Sequence, residues 1–294
     1  MNNRLDYSFE EYSELMRKHH EEAEEMSKRL AVVPGYAMRA ERMSKCETFT
    51  KGIYCPKCKT FHTVRASLCR DRLCPNCGWA LSRRRAKAVL HAVEALAEET
   101  KIEVIHIVLT LKHDKESELG KQITDLMQGF RKLTRKRRFQ EKTLGYIRSI
   151  EIKKGNQGFH PHIHILYIVD KEYFKKPITH AELCDMWADA CGICYKPVVW
   201  IQKAYSNKSD PKALYSAIYE CVKYAIKTNE WKEMQIDDLI KTAEAIHGRM
   251  LFKVNGKKVI SLYMESMEAE KPEEEEPTPC KKCGSNRYIA SINI

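Results

Sequence analysis

The residues best suited to chemistry are two histidines in the segment 160–169, which reads His-Pro-His-Ile-His-Ile-Leu-Tyr-Ile-Val. Imidazoles alternate with apolar residues there, which predicts a β-strand, because successive side chains of a strand point to opposite faces. His162 and His164 would share one face, with about 7 Å between their Cα atoms, while Ile163 and Ile165 enter a core. Imidazole is the commonest metal ligand in proteins, so the pair could hold one ion. Two polar residues on a solvated sheet face are the plainer alternative.

A carboxylate could complete the ligand set. Glu151 stands at the end of a predicted strand over residues 146–152, and a hairpin can bring it beside the two histidines. Two imidazoles and one carboxylate leave coordination positions open, which suits Mg²⁺ or Mn²⁺ bridging to a phosphate oxygen. His160 could instead be a ligand or orient one, and His106 and His113 are weaker candidates.

A predicted helix over residues 210–228 carries a second set of reactive groups. Glu220 and Tyr224 are four residues apart and share a face, with Lys223 and Lys227 adjacent. A tyrosine hydroxyl, with a pKa of about 10, becomes a nucleophile only when cations and a metal-bound substrate assist it. Attack by tyrosine would conserve the phosphodiester bond energy, and Glu220 could act as general base for a later attack by water. Core packing is the plainer explanation of any single helical tyrosine.

Eight of the twelve cysteines have the spacing of zinc ligands: Cys46, Cys55, Cys58, Cys69, Cys74, Cys77, Cys280 and Cys283. One partition places Cys55, Cys58, Cys74 and Cys77 in a single ribbon. The other joins Cys46 and Cys69 to Cys74 and Cys77, and leaves Cys55 and Cys58 to pair with Cys280 and Cys283. Four thiolates leave no open position on Zn²⁺, so a structural role is expected, with unligated thiols as the alternative.

The net charge of +11 over 294 residues predicts a polyanionic partner. Candidate contacts to a nucleic-acid backbone are Arg83, Arg84, Arg85, Arg131, Lys132, Arg135 and Arg138. Solvated helix faces are the alternative for any one of them. Neither a membrane-spanning apolar run nor a signal peptide is evident, so we expect a cytoplasmic protein without a membrane partner.

The elements that must position these groups follow from the same patterns. Strands are predicted over 102–111, 146–152, 160–169 and 197–203, and helices over 117–139 and from a capping box at Thr179 and Glu182 to about residue 190. This order predicts an α+β fold with a ferredoxin-like or RRM-like antiparallel sheet (βαββαβ). Two helices would cover one face, and the histidines would stand on the open face.

Further predicted elements surround this core. They are helices over 8–30, 79–99 and 235–247 and an acidic linker over 265–279. The predicted organisation is an N-terminal amphipathic helix region (1–40), a cysteine-rich zinc-binding region with a basic helix (41–100), a domain that contains the histidine strand and the C-terminal helices (101–262), and an acidic linker with a terminal Cys-x-x-Cys tail (263–294).

Three motifs, in this order, resemble the single-tyrosine rolling-circle replication initiators of small bacterial plasmids, within the HUH endonucleases. They are Leu73-Cys74-Pro75-x-Cys77-x-Trp79 preceded by Cys46 and Cys69, then His160-Pro161-His162-Ile163-His164, then Glu220-x-x-Lys223-Tyr224-x-x-Lys227.

The resemblance implies that His162 and His164, with Glu151, bind the catalytic metal. It also implies that Tyr224 nicks one origin strand and keeps the 5′ phosphate, and that Glu220 helps water to end the round. The implied partners are plasmid origin DNA, single-stranded or in a hairpin at the nick site, and a host helicase. The cysteine pairs at 55–58 and 280–283 depart from the family pattern.

The same motifs also occur in other classes of protein. A transposase of the HUH class with paired tyrosines would need a tyrosine at position 220 or 228, where Glu220 and Thr228 stand, although Tyr219 is close by. A conjugative relaxase would place its tyrosine before the histidines, where only Tyr7 and Tyr12 lie near the N-terminus. The non-enzymatic rival is a zinc-containing nucleic-acid-binding protein with structural histidines.

Overall fold

The computed structural model describes residues 7–112, 118–205, 211–222, 228–269 and 278–294. The chain divides into two compact units: a first unit of Met1–Arg83 with Met267–Ile294, and a second unit of Arg84–Ser266. Each unit is built around its own antiparallel sheet. Within the described ranges, every helix is too short or too polar to cross a bilayer.

The described strands are β1 (Tyr7–Ser8), β2 (Phe49–Cys55), β3 (Thr60–Ala66), β4 (Ile102–Thr110), β5 (Thr143–Gly155), β6 (Gly158–Asp170), β7 (Val199–Tyr205), β8 (Phe252–Asn255) and β9 (Tyr288–Asn293). The described helices are α1 (Phe9–Ala31), α2 (Ala37–Ser44), α3 (Pro75–Glu99), α4 (Leu119–Leu133), α5 (Arg137–Gln140), α6 (His180–Cys191), α7 (Pro211–Val222), α8 (Thr228–Glu233), α9 (Ile236–Ile246) and α10 (Lys257–Ala269), with a 3-10 turn at Lys171–Lys175.

The first unit packs helix α1 against a four-stranded sheet of order β1-β3-β2-β9. A capping box between Ser8 and Glu11 starts α1, as expected for an amphipathic helix with an acidic first turn. The buried face of α1 meets the sheet in a small core of Tyr12, Met16, Phe61 and Ile292. The sequence patterns did not predict this sheet, and its edge strand β9 comes from the far end of the chain.

The second unit contains a five-stranded sheet of order β7-β4-β6-β5-β8, in which every neighbouring pair is antiparallel. Helices α4 and α6 contact each other, and they pack against β6 and β7 respectively. The predicted capping box of α6 is present at Thr179 and Glu182, and the helix ends at Gly192, whose φ of 67° is left-handed. The predicted α+β class is confirmed.

Several predicted boundaries are wrong. The helix predicted over 117–139 stops at Leu133. The backbone is extended at Lys136 (ψ 130°), and a separate short helix, α5, follows. The helix predicted over 79–99 begins earlier, at Pro75. Proline is favourable at the first helical position, because the N–H group that it lacks would have no partner within the helix. The acidic linker predicted from residue 265 begins inside α10, which continues to Ala269.

Candidate metal centres and nucleophile helix

The β5–β6 hairpin brings the predicted metal ligands together. Glu151 lies directly opposite His162, and Ser149 lies opposite His164, so the three ligand side chains share one sheet face. All three residues are buried, with exposed fractions of 3% for Glu151, 5% for His162 and 6% for His164. The expected open face is therefore wrong at the histidines. Helix α7 packs against β5, β6 and β7 of this sheet.

Both imidazoles contact the carboxylate of Glu151. Its Oε2 atom lies 2.7 Å from Nε2 of His162 and 2.9 Å from Nε2 of His164. Nδ1 of His162 lies 3.1 Å from the carbonyl oxygen of His160. If Nδ1–H donates to that carbonyl, the lone pair of Nε2 points at the carboxylate, as a metal ligand requires. Two nitrogens and a carboxylate oxygen converging in one place fit a divalent cation.

One of the weaker histidine candidates, His106, lies beside the ligand His164. Nε2 of His106 lies 3.2 Å from Nδ1 of His164, and the two rings are stacked. Trp200 packs edge-on against His106, with ring centroids 4.9 Å apart. His106 is therefore placed to orient His164 rather than to join the convergent set, and His113 lies outside the described residues. Sequence reasoning missed Trp200, which strand pairing places opposite Val108 on β4.

Helix α7 carries part of the predicted reactive set. Glu220 is partly exposed on it, while Ile218, Cys221 and Val222 are buried. Tyr219 is 37% exposed, and its ring is stacked on Tyr215 at a centroid distance of 6.3 Å. The remaining members of the set, Tyr224, Lys223 and Lys227, lie outside the described residues.

The first unit contains two groups of four thiols. The first group consists of Cys46, Cys69, Cys74 and Cys77, and the second consists of Cys55, Cys58, Cys280 and Cys283. In each group the four sulfur atoms lie within 4.8 Å of one another. The structure therefore brings together the second of the two partitions that the spacing allowed.

The first group has the dimensions of a metal–thiolate site. The sulfur of Cys46 lies 3.5 Å from that of Cys74 and 3.6 Å from that of Cys77. Tetrahedral Zn²⁺ with Zn–S bonds of about 2.3 Å holds its sulfurs about 3.8 Å apart. The backbone N–H of Arg70 donates to the Cys77 sulfur at 3.1 Å. The backbone N–H of Asp71 faces the Cys69 sulfur. Such donors favour the thiolate that zinc requires.

Comparison with known proteins shows the family of the chain. A family model described as "Replication protein" matches residues 60–284, which is more than half of the chain. The chain belongs to the Rep family of plasmid replication initiators. Among its relatives, "Protein rep" of Bacillus amyloliquefaciens is 31% identical over 234 residues, covering 74% of this chain and 67% of the relative.

Other Rep relatives are similarly distant. "Protein rep" of a Bacillus species is 29% identical over 247 residues, covering 76% of this chain and 79% of the relative. "Protein rep" of Staphylococcus aureus is 28% identical over 191 residues, covering 63% and 81% respectively. No solved structure matches the chain. Membership of the family gives the chain a role in plasmid replication.

The four candidate DNA contacts on helix α4 and in the segment after it differ in their surroundings. Arg131, Lys132 and Arg135 are exposed at the end of α4 and in the turn after it, where a DNA backbone could reach them. Arg138 instead donates to Glu182 at 2.7 Å and to the carbonyl oxygens of residues 176 and 177, so it ties elements of the second unit together.

The three arginines of helix α3 are partly buried. The Arg83 guanidinium lies 4.6 Å from the ring centroid of Tyr7, and that of Arg85 lies 4.2 Å from the ring centroid of Phe252. Arg84 is likewise partly buried. The flat faces of Arg83 and Arg85 are therefore engaged with aromatic rings of their own units.

Proposed function

We propose that this Rep-family chain initiates rolling-circle replication by nicking one strand of its plasmid origin, with Tyr224 as the nucleophile. The observation that carries the proposal is the convergence of Glu151, His162 and His164 on the central hairpin of the sheet. Ligands from mid-strand positions of a packed sheet are held rigidly, as a phosphoryl-transfer site requires. The partly exposed carboxylate of Glu220 lies on α7, which packs against the same strands.

The topology of the sheet supports a ferredoxin-like HUH core. Strand β6 lies between β4 and β5, and β7 lies beside β4, which is the order expected for a βαββαβ unit. Helices α4 and α6 are the two connections of that unit, and they pack on each other. Strand β8 is an addition at the β5 edge.

The proposed reaction is a transesterification. The Tyr224 oxygen attacks phosphorus, a tyrosyl–phosphate ester forms with the 5′ phosphate, and the bond to the 3′ oxygen breaks. The 3′ oxygen takes a proton and leaves as a hydroxyl, and the tyrosine proton passes to solvent or a nearby base. Lys223 and Lys227 would favour the ionised tyrosine by their charge.

Glu151, His162 and His164 would hold the divalent cation, Mg²⁺ or Mn²⁺. When bound, such an ion supplies Lewis-acid stabilisation of the charge on the scissile phosphate. In the closing step Glu220 accepts a proton from water, and the water oxygen attacks the phosphorus of a phosphodiester. The bond to the 3′ oxygen breaks, and that oxygen takes up a proton and leaves as a hydroxyl, which ends the round of replication. A host helicase would extend the single strand that the nick releases.

DNA binding and zinc complete the proposal. Arg131, Lys132 and Arg135 contact the backbone of origin DNA that is single-stranded or folded into a hairpin, so binding weakens steeply as salt rises. Cys46, Cys69, Cys74 and Cys77 hold a structural Zn²⁺ that stabilises the first unit.

The test is covalent capture of DNA. Full-length protein is incubated with Mn²⁺ and labelled single-stranded oligonucleotides that tile its own plasmid, and the products are run on a denaturing gel. We expect label to migrate with the wild-type protein and with the Tyr219→Phe variant, but not with Tyr224→Phe. Tyr219 is a matched control because it is an exposed tyrosine on α7.

Either of two results would contradict the assignment. Label that persists with Tyr224→Phe and disappears with Tyr219→Phe would move the nucleophile to Tyr219. A wild-type protein that retards the same oligonucleotides on a native gel without ever becoming labelled would make the chain a DNA-binding protein.

A further inference from the structure

The turn between β2 and β3 meets the C-terminal segment at the second group of thiols. The Cys55-Pro-Lys-Cys58 turn joins β2 to β3, and the Cys280-Lys-Lys-Cys283 turn precedes β9. The sulfur of Cys55 lies 3.6 Å from that of Cys283, and the sulfur of Cys58 lies 3.8 Å from that of Cys280. We name these four residues the terminal clasp. The nicking reaction proposed above makes no use of them.

The sulfur separations in the terminal clasp suit a metal and not a pair of disulfides. A disulfide joins its sulfurs at about 2.05 Å. Four thiolates around Zn²⁺ stand about 3.8 Å apart, because each Zn–S bond measures about 2.3 Å and the geometry is tetrahedral. The observed distances match the second value.

The backbone of the clasp turns is shaped for metal-bound thiolates. The residue after each turn has a left-handed backbone, with φ of 53° at Lys59 and 69° at Gly284. Such a conformation is uncommon for a residue with a side chain. Among the described non-glycine residues it occurs at Glu47, Lys59, Arg70 and Lys142, and the first three each directly follow a cysteine of one of the two groups.

Hydrogen-bond donors of the turn around Gly284 face the sulfur atoms of Cys280 and Cys283. The backbone N–H groups of Lys282 and Cys283 face the Cys280 sulfur. The hydroxyl and the backbone N–H of Ser285 face the Cys283 sulfur in the same way. In the first group, Asp71 donates its N–H to Cys69 across the equivalent left-handed residue, Arg70. The two groups therefore share one turn design.

Strand β9 has few other interactions to hold it in place. It is the edge strand of its sheet and pairs only with β2 among the described strands. Ile292 is its one buried side chain, while Tyr288 and Ile289 are 56% and 46% exposed. Ordering a strand costs conformational entropy at every residue, and one buried isoleucine offsets little of that cost.

We propose that Cys55, Cys58, Cys280 and Cys283 bind a second Zn²⁺, and that this ion holds strand β9 on the edge of the N-terminal sheet. Zinc binding is then coupled to the folding of residues 278–294. Loss of the ion releases β9 and exposes the hydrogen-bonding groups of the β2 edge, which is a template for association with other chains.

The first measurement is the zinc content of full-length protein purified under reducing conditions. We expect two zinc ions per wild-type chain, two in the control Cys194→Ser, and one in the double variant Cys280→Ser/Cys283→Ser. Cys194 is a suitable control because it is exposed and belongs to neither group. A wild-type content of one ion, or two ions retained by the double variant, would overturn the proposal.

The second measurement is hydrogen exchange followed by mass spectrometry. In the double variant, we expect faster exchange in peptides from β2 and β9 and unchanged exchange in peptides from β5 and β6. Unchanged protection of β9 after loss of the second ion would show that the ion does not hold the strand. The β5 and β6 peptides also report whether the rest of the chain has folded.

Thiol alkylation tests the wild-type chain without any substitution. Metal-bound thiolates react slowly with iodoacetamide, so we expect Cys194 to be labelled first in the zinc-loaded protein. Cys58 and Cys283, although partly exposed, should be labelled only after a chelator is added. Labelling of these two at the rate of Cys194, or an intact mass that is lower by the hydrogens lost in a disulfide, would contradict a zinc clasp.

Discussion

The sulfur groups of the first unit and the imidazole–carboxylate group of the second unit are built in opposite ways. Each sulfur group offers four ligands from turns, connecting segments and the ends of helices or strands, which is a complete tetrahedral set for zinc. Glu151, His162 and His164 offer only three ligands from the middle of a hairpin. A closed set stabilises the fold, whereas an incomplete set leaves room for a substrate oxygen. Ligand count and ligand placement are therefore the basis of the two different roles proposed above.

The largest effect is expected where a ligand of the incomplete set is removed. His162→Ala should lower the rate of covalent DNA attachment by about 10³-fold or more, because charge on the scissile phosphate is no longer stabilised. Zinc content and circular dichroism should remain those of the wild type. His247→Ala, an exposed histidine of the same unit, is the matched control. Loss of zinc in His162→Ala would break the distinction between the two kinds of site.

The converse experiment removes a ligand from a closed set. Cys74 is fully buried, and Cys74→Ser should lower the free energy of unfolding of the first unit by several kcal/mol, because an incomplete site forfeits much of the binding energy of zinc. Limited proteolysis should then cleave within residues 7–66 while peptides from β5 and β6 stay protected. Equal resistance of the two units in this variant would argue against a structural metal.

The same contrast explains what the sequence could predict. Strand β6 alternates histidine with isoleucine, and α6 begins with a capping box, so local patterns were sufficient for the central elements of the second unit. Glu151 and His162 follow from hairpin register alone. Their burial could not be predicted, because it depends on the packing of other elements of the second unit, such as α7, on the sheet.

The sheet of the first unit was harder to predict from the sequence than the sheet of the second unit. Strand β2 contains Gly52, which normally weakens a strand, yet a Cβ atom there would lie 2.4 Å from the Phe61 ring, so the close approach of β3 requires glycine. Strand β9 pairs with β2 across more than two hundred residues of chain, a separation that no local pattern reports. The partition of the cysteines depends on that pairing, because both partitions satisfied the ligand count of zinc.

A smaller effect is expected at the residue behind the incomplete set. His106 contacts Nδ1 of His164 across 3.2 Å, so His106→Asn should loosen the orientation of that ligand and weaken Mn²⁺ binding about tenfold. Excess Mn²⁺ should restore covalent attachment to the His106→Asn variant, whereas it should not restore it to His162→Ala. Calorimetric titration with Mn²⁺ measures the affinity. An unchanged affinity would show that His106 only fills space beside Trp200.

The smallest effect is expected from the protonation of one buried histidine, which makes the stability of the first unit depend on pH independently of the thiolates. His19 is buried against Trp79, with ring centroids 4.5 Å apart. Burial, with nearby Lys18 and Arg83, lowers its pKa from 6.5 to about 4. In this window the unfolded chain binds a proton that the folded chain does not, so stability falls as pH falls below 6.5.

Between about pH 7 and about pH 5.5, the protonation of His19 should cost the wild type about 1 kcal/mol of unfolding free energy. His19→Gln should lose this component and His247→Gln should keep it, as measured by urea denaturation at both pH values. Protonation of the thiolates also releases zinc in acid, but it affects all three proteins alike, so the difference between variants isolates the imidazole. If His19→Gln loses as much stability as the wild type, acid sensitivity of this unit comes from its sulfur groups alone.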